Sequence, residues 1–150
     1  MVGYGFMKLS SRTRYGVRAI IELAAHYGEG PLQSKVIAQQ QEISAKYLEQ
    51  LLTQLKSAGF IRSVRGSKGG YILSRQPSEI KLDEIFTALE GPIITAECLE
   101  DESYCNRIGD CIARQVWAEV QEAIMKVLES INLQDLADKA KKRKASNYQI

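Results

Sequence analysis

Three cysteines, Cys98, Cys105 and Cys111, are the residues of this 150-residue chain whose type and spacing are best suited to chemistry. The chain holds no others, and the spacing is C-x6-C-x5-C. Three thiolates can fill most of the coordination sphere of an iron–sulfur cluster or a zinc ion. A disulfide would leave one thiol unpaired. The spacing is looser than the C-x2-C pairs typical of zinc sites, which counts against zinc. A metal-free thiol sensor is the alternative. Glu97, Glu100, Asp101 and Glu102 surround the thiols with negative charge, which disfavours free thiolates and is reversed by a bound cation. No C-x-x-C redox pair, phosphate-binding glycine loop or nucleophile with a general base accompanies them, so an enzyme is not expected. His26, the single histidine, falls in the last turn of a predicted helix, where a cation is mildly favourable, and is expected to be structural rather than a ligand.

The elements that must position these thiols lie on both sides of them. Val17, Ile20, Ile21 and Ala24 recur at helical spacing, predicting a helix over 11–27 that Ser10 or Ser11 caps and Gly28, Gly30 and Pro31 end. Ser34 is placed to cap a short second helix containing Val36, Ile37 and Ala38. After a break at 40–43, Ser44 caps a third helix that runs to Ser57, buries Leu48, Leu51, Leu52 and Leu55, and is stopped by Gly59. Residues 60–65 alternate like a strand, 66–70 form a basic glycine-rich turn, and 71–73 return. A helix over 82–90 is broken by Gly91-Pro92, and an irregular acidic stretch, 93–111, contains the cysteines. A longer helix follows to about Ser130, striped by Ile112, Val116, Val120, Ala123, Ile124, Val127 and Leu128, with Trp117 beside the stripe. Little other chain is available to cover that stripe, so a second subunit is expected to bury it and make a homodimer. Asn132 with Asp135 resembles the start of a last short helix, and Lys141-Lys142-Arg143-Lys144 reads as a solvated, mobile tail.

The fold class expected is therefore mainly α with a small β-hairpin wing: a winged helix-turn-helix followed by a long C-terminal dimerisation helix. The units are an extension or cloning remnant at 1–6, the winged domain at 7–92, the cysteine loop at 93–111, the dimerisation helix at 112–131, and a short helix and basic tail at 132–150.

Charge divides along the same lines. Residues 1–75 hold eleven Lys/Arg against four Asp/Glu, a net +7; residues 76–130 hold four against twelve, a net −8; the remainder is +3. A basic half suits a polyanion. A major groove about 12 Å wide accepts one helix, and the helix from Ser44 to Ser57 is the candidate. Glu49 and Gln50 can bond base edges, while Ser44, Lys46 and Tyr47 lie on the same leading turns, with Ser44 and Lys46 suited to phosphate oxygens. Arg65, Ser67 and Lys68 on the wing can reach a minor groove, and Arg14 and Arg18 can add phosphate contacts. Double-stranded DNA is the expected partner; a winged helix that binds protein instead is the competing class. No run approaches ~18 apolar residues, and Met1 to Phe6 lack the basic start of a secretory signal, so neither a membrane span nor export is expected, and a cytoplasmic location is.

Four motifs make the chain specific. Met7-Lys-Leu-Ser-Ser-Arg-Thr-Arg-Tyr-Gly-Val17, Tyr47-Leu-Glu-Gln-Leu51, Ser63-Val-Arg-Gly66 with Gly69-Gly-Tyr71, and Leu89-Glu-Gly-Pro92 resemble, in order, the IscR/CymR/NsrR family of bacterial regulators. The resemblance covers about residues 7–92, and the long helix after Cys111 fits the family's dimerisation helix. It implies that Met7 matches the usual first residue, that Glu49 and Gln50 read bases, and that Arg65 enters the minor groove. It also implies that Cys98, Cys105 and Cys111 are cluster ligands, usually of a [2Fe–2S] group and in some members of a [4Fe–4S] group, which can be lost in aerobic purification. Members that work through a partner protein lack the cysteines. Some members take the fourth ligand from a His three residues after the last cysteine, others from a carboxylate in the first helix. This chain has Arg114 and Arg14 at those places, leaving Asp110, Glu97, a partner-subunit residue or an exogenous ligand.

Overall fold

The computed structural model describes residues 8–147; the extension at 1–6, Met7 and the end of the tail lie outside the described residues. Helix α1, Ser11–Ala25, is capped by Ser10, whose hydroxyl accepts from the Thr13 amide. Helix α2, Ser34–Gln41, begins with Ser34 inside its first turn, and Gln33 occupies the cap without a side-chain bond. The turn to α3, Ala45–Ser57, passes through Glu42 at φ 54, a left-handed conformation that side chains rarely adopt. Ser44 caps α3 by accepting from the Tyr47 amide. These three helices enclose Ile20, Leu23, Ile37, Leu48, Leu52 and Leu55, all buried.

Strands β1, Ile61–Val64, and β2, Gly70–Leu73, pair antiparallel, with Ile61 opposite Leu73 and Ser63 opposite Tyr71. Leu32 and Tyr71 exchange both backbone hydrogen bonds, at 3.0 and 2.9 Å, so the wing is also sewn to the segment before α2. A Cβ at Gly70 would run into the Leu32 carbonyl, which only glycine permits. A 3-10 turn, Pro77–Glu79, leads into α4, Leu82–Glu90.

The acidic stretch contains one short helix, α5, Glu97–Glu100, where irregular chain was expected. Helix α6, Ile112–Glu129, follows. Its stripe is wider than the head can cover: Leu128 is buried with Leu82 and Phe86 and Ile124 packs beside them, while Ile112, Val116 and Val127 remain open. The short final helix is in fact fifteen residues long, α7, Leu133–Asn147, begun by Asn132 and Asp135, which hydrogen-bond each other's backbone amides. Leu133 and Ala137 are fully buried in the same core as α1–α3. The expectation of a mobile tail fails at Lys144, whose ammonium lies 3.0 Å from the buried carboxylate of Glu22. The α6–α7 junction is fixed to the α4 entrance by Leu82 N–H to the Ile131 carbonyl, 2.8 Å, and Leu133 N–H to the Ile80 carbonyl, 2.9 Å. None of the described helices is long and apolar enough to cross a membrane.

Candidate nucleic-acid interface and cysteine segment

Helix α3 turns its apolar stripe inward, and that placement leaves Lys46, Glu49 and Gln50 exposed on the opposite face with the cap Ser44. Tyr47 differs. It is half-buried, its hydroxyl sits 3.2 Å from the Ser11 hydroxyl, and its ring meets Tyr15 edge to face at 6.0 Å. Tyr47 therefore binds α3 to α1 and presents little free surface. Arg14 and Arg18 are exposed on α1, with guanidinium groups 5.6 and 5.2 Å from the Tyr15 ring centre. Arg18 also donates to the side chain and backbone carbonyls of Gln41, at 2.9 and 2.8 Å, so α1 holds the end of α2 just before the turn into α3. Arg65, Ser67 and Lys68 are exposed at the tip of the wing, where the Gly69 amide closes the turn onto Gly66. Nine of the ten candidate residues of this face are exposed, Tyr47 being the exception.

Two contacts here were not anticipated. The Tyr71 hydroxyl donates to Glu49 at 3.2 Å; burial, reinforced by the Glu49 carboxylate, pushes its phenol above the ordinary range. On α1 itself, Glu22 is buried among Lys144, the Gln41 amide at 3.0 Å and His26 at 3.7 Å. His26 is a structural partner of α1, with Nδ1 2.9 Å from the Glu22 carbonyl oxygen. The signal for Glu22 was present: a lone carboxylate inside the run Ile20-Ile21-Glu22-Leu23-Ala24.

The cysteines lie on the segment that joins the winged head to α6. Cys98 and Cys111 are half-buried, Cys105 is exposed, and all three are free thiols. Thr95 pins the start of the segment to α6, its amide donating to Gln121 at 3.0 Å and its hydroxyl to the Trp117 carbonyl at 2.7 Å. Arg114 donates from Nε and Nη2 to the Cys98 carbonyl, at 3.4 and 3.3 Å. Tyr104 sits against Glu97, whose hydrogen bond and charge, helped by Cys105 and Cys98, hold the phenol above its usual range. Among the described residues no three His, Cys, Asp or Glu side chains converge to hold a metal ion. As a donor set the cysteines still fit a cluster: three free thiols on one segment with no disulfide competing for them. Arg114 and Arg14 offer no ligand atom, so a fourth donor to such a cluster would have to come from elsewhere.

Comparison with known proteins gives one consistent answer. Residues 9–139 match the family described as Rrf2, iron-dependent transcriptional regulator. The HTH-type transcriptional regulator CymR of Bacillus subtilis (strain 168) is 44% identical over 131 residues, which is 87% of this chain and 90% of the relative. The solved structure of CymR, the global cysteine regulator of B. subtilis, superposes with a TM-score of 0.76 at 42% identity, covering 87% of this chain and 96% of that one. The structure of T. potens IscR gives 0.75 at 41% identity, covering 89% and 88%.

Proposed function

The chain belongs to the Rrf2 family of transcriptional regulators, and from that premise we propose that it is a cytoplasmic, DNA-reading homodimer whose operator affinity is set by a [2Fe–2S] cluster on Cys98, Cys105 and Cys111. The proteins it resembles are transcriptional regulators and not enzymes. The observation that carries the cluster reading is the position of the thiols. All three are free and sit on the one segment that runs from the winged head to α6.

In this reading Lys46, Glu49 and Gln50 of α3 enter the major groove, Ser44 and Lys46 meet phosphate, and Arg65, Ser67 and Lys68 reach the flanking minor groove. Arg14 and Arg18 contribute backbone charge from α1, with Tyr47 holding α1 and α3 in register. Ile112, Val116 and Val127 of α6, open by 77%, 46% and 59%, pair with the same face of a second subunit and set the spacing of the two heads. When bound, the cluster supplies one-electron redox chemistry and a dependence on iron supply. To hold the cluster, the segment 93–111 would have to bring Cys98, Cys105 and Cys111 together. Its anchors, Thr95 on α6 and the Cys98 carbonyl on Arg114, would then link that arrangement to α6. The coupling is real only if the two states of the segment differ in DNA affinity.

The test begins with protein purified without oxygen. Visible absorption bands with stoichiometric iron and sulfide, lost in Cys98→Ala, Cys105→Ala and Cys111→Ala, are expected. Binding to duplex DNA should weaken steeply with salt as counterions are released, and should differ between loaded and metal-free protein. A colourless, iron-free protein that still binds DNA would transfer the sensing role to the thiols themselves, a reading the exposure of Cys105 favours. Equal, weak binding to all duplexes even at low salt would remove DNA reading altogether.

A further inference from the structure

Glu49 is exposed on α3, and an exposed glutamate ordinarily samples several side-chain positions. Here one of its oxygens, Oε2, accepts from the Tyr71 hydroxyl at 3.2 Å. Tyr71 is not a mobile partner. Its backbone lies opposite Ser63 on one side and exchanges two hydrogen bonds with Leu32 on the other. Its ring is half-buried and packs against the core. The residue before it, Gly70, has no room for a side chain against Leu32, so β2 lies tight on that segment. The hydroxyl is therefore a fixed donor at the edge of α3. It also ties β2 directly to the recognition helix.

We propose that Tyr71 is a specificity-determining residue: it positions the Glu49 carboxylate so that α3 selects a base edge presenting an amino donor, cytosine first, at one site of the operator. The inference rests on the reading of α3 as the groove-reading helix. An ionised carboxylate only accepts hydrogen bonds. In the major groove the cytosine N4 amino group donates, the adenine N6 amino group donates beside an acceptor, and guanine and thymine present only acceptors among their polar groups. A carboxylate held in place therefore rejects guanine and thymine, whereas a free one can swing away from them. The hydrogen bond from Tyr71 occupies one lone pair of Oε2 and leaves Oε1 for the base. Ordering the side chain before DNA arrives also removes a cost that binding would otherwise carry. Tyr71 touches no base in this scheme; it acts through Glu49.

The experiment compares the full-length wild type with Tyr71→Phe, Glu49→Ala and the double variant. A random duplex library first yields the wild-type operator. Affinities are then measured on duplexes substituted one base pair at a time. Tyr71→Phe keeps the ring and its packing, and thermal melting checks that the fold is retained. It should lower discrimination at a single base pair by roughly two- to tenfold, the size of ordering one flexible side chain. Affinity for random DNA and the salt slope should stay at the wild-type level. In the Glu49→Ala background the same substitution should change nothing further. Wild-type discrimination at every position in Tyr71→Phe, alongside a loss in Glu49→Ala, overturns the positioning role and leaves DNA reading intact. Full discrimination retained by Glu49→Ala overturns the inference while α3 still reads through its other residues; a wild type that selects no sequence takes down both the inference and the reading beneath it.

Discussion

Replacing Lys144 with methionine should destabilise the winged head by about 1–2 kcal/mol, although the residue lies in what reads as a basic tail. The size follows from Glu22. Its residue exposure is only 5%, and its two carboxylate oxygens face Lys144 at 3.0 Å and the Gln41 amide at 3.0 Å. A hydrogen bond to a charged group contributes roughly 1.5–3 kcal/mol, and stripping one partner from a fully buried pair costs about 3–5 kcal/mol. The lower part of this span applies, because the Lys144 side chain is 49% exposed and water can enter where its ammonium was. For a chain of this size the loss corresponds to a Tm lowered by roughly 2–8 °C. The assay is chemical and thermal unfolding at fixed protein concentration, with the double-mutant cycle Glu22→Gln, Lys144→Met and both. Lys144→Met should cost little in the Glu22→Gln background, where the uncompensated charge is gone. An unchanged stability in Lys144→Met, or an equal cost in both backgrounds, would refute the pairing of Lys144 with Glu22 and leave α7 held by Leu133 and Ala137 alone.

Further expectations test the packing, the partner face and the response to acid. Gly16→Ala would place a Cβ 2.6 Å from a methyl of Leu89; overpacking of about 1–3 kcal/mol should outweigh a helix-propensity gain of ~1 kcal/mol, and in a Leu89→Ala background the sign should reverse in the same unfolding assay. Val116→Asp with Val127→Asp should abolish self-association by light scattering without lowering the helical signal in circular dichroism; persistence of a dimer would place the interface elsewhere. Burial alone would raise the Glu90 carboxyl, but the hydroxyls of Thr13 and Ser10, with Arg12 nearby, hold it below the usual carboxylate range. A depressed value in the folded state stabilises above the unfolded value and loses that contribution as pH falls through the folded one. The stability gap between wild type and Glu90→Gln should therefore be widest near neutrality and close below about pH 4; a gap that grows toward acid would reverse the assignment.

Much of the head was legible because its signals are local. Ser44 caps α3, Gly59 with φ +86 ends it, and Leu48, Leu51, Leu52 and Leu55 form its buried stripe, each as spacing and residue type dictate. The second helix was placed correctly, but its cap was assigned to Ser34 because composition cannot say which residue is already helical. Helix α7 was underestimated for a physical reason. Its inward positions are few, chiefly Leu133 and Ala137, and its outer surface is almost entirely charged, so local pattern reads it as solvated chain. Its partner, Glu22, lies 122 residues away. At the candidate interface, residue types identified an exposed polar face, whereas the roles of Tyr47 and Tyr71 depend on which helix or strand each meets, and that is set by tertiary packing. The cysteines were visible by type and spacing, while the arrangement of the segment that carries them was not.

The backbone pairs that lock Ile131 and Leu133 to the α4 entrance make the head a discontinuous unit. Residues 8–92 and α7 build one body, and everything between is an inserted excursion that leaves and returns to it. A peptide bond cut within that excursion would therefore release neither fragment, since α7 stays seated on α1 through Leu133, Ala137 and Lys144. Shortening the chain after residue 92, by contrast, would strip a wall from the core. Folding carries the same signature: the head cannot close until two stretches far apart in the chain have met, and such non-local closure is slow. Lengthening the excursion would cost only the logarithm of its length, which leaves the cysteine segment free to vary while the body that bears α3 stays fixed.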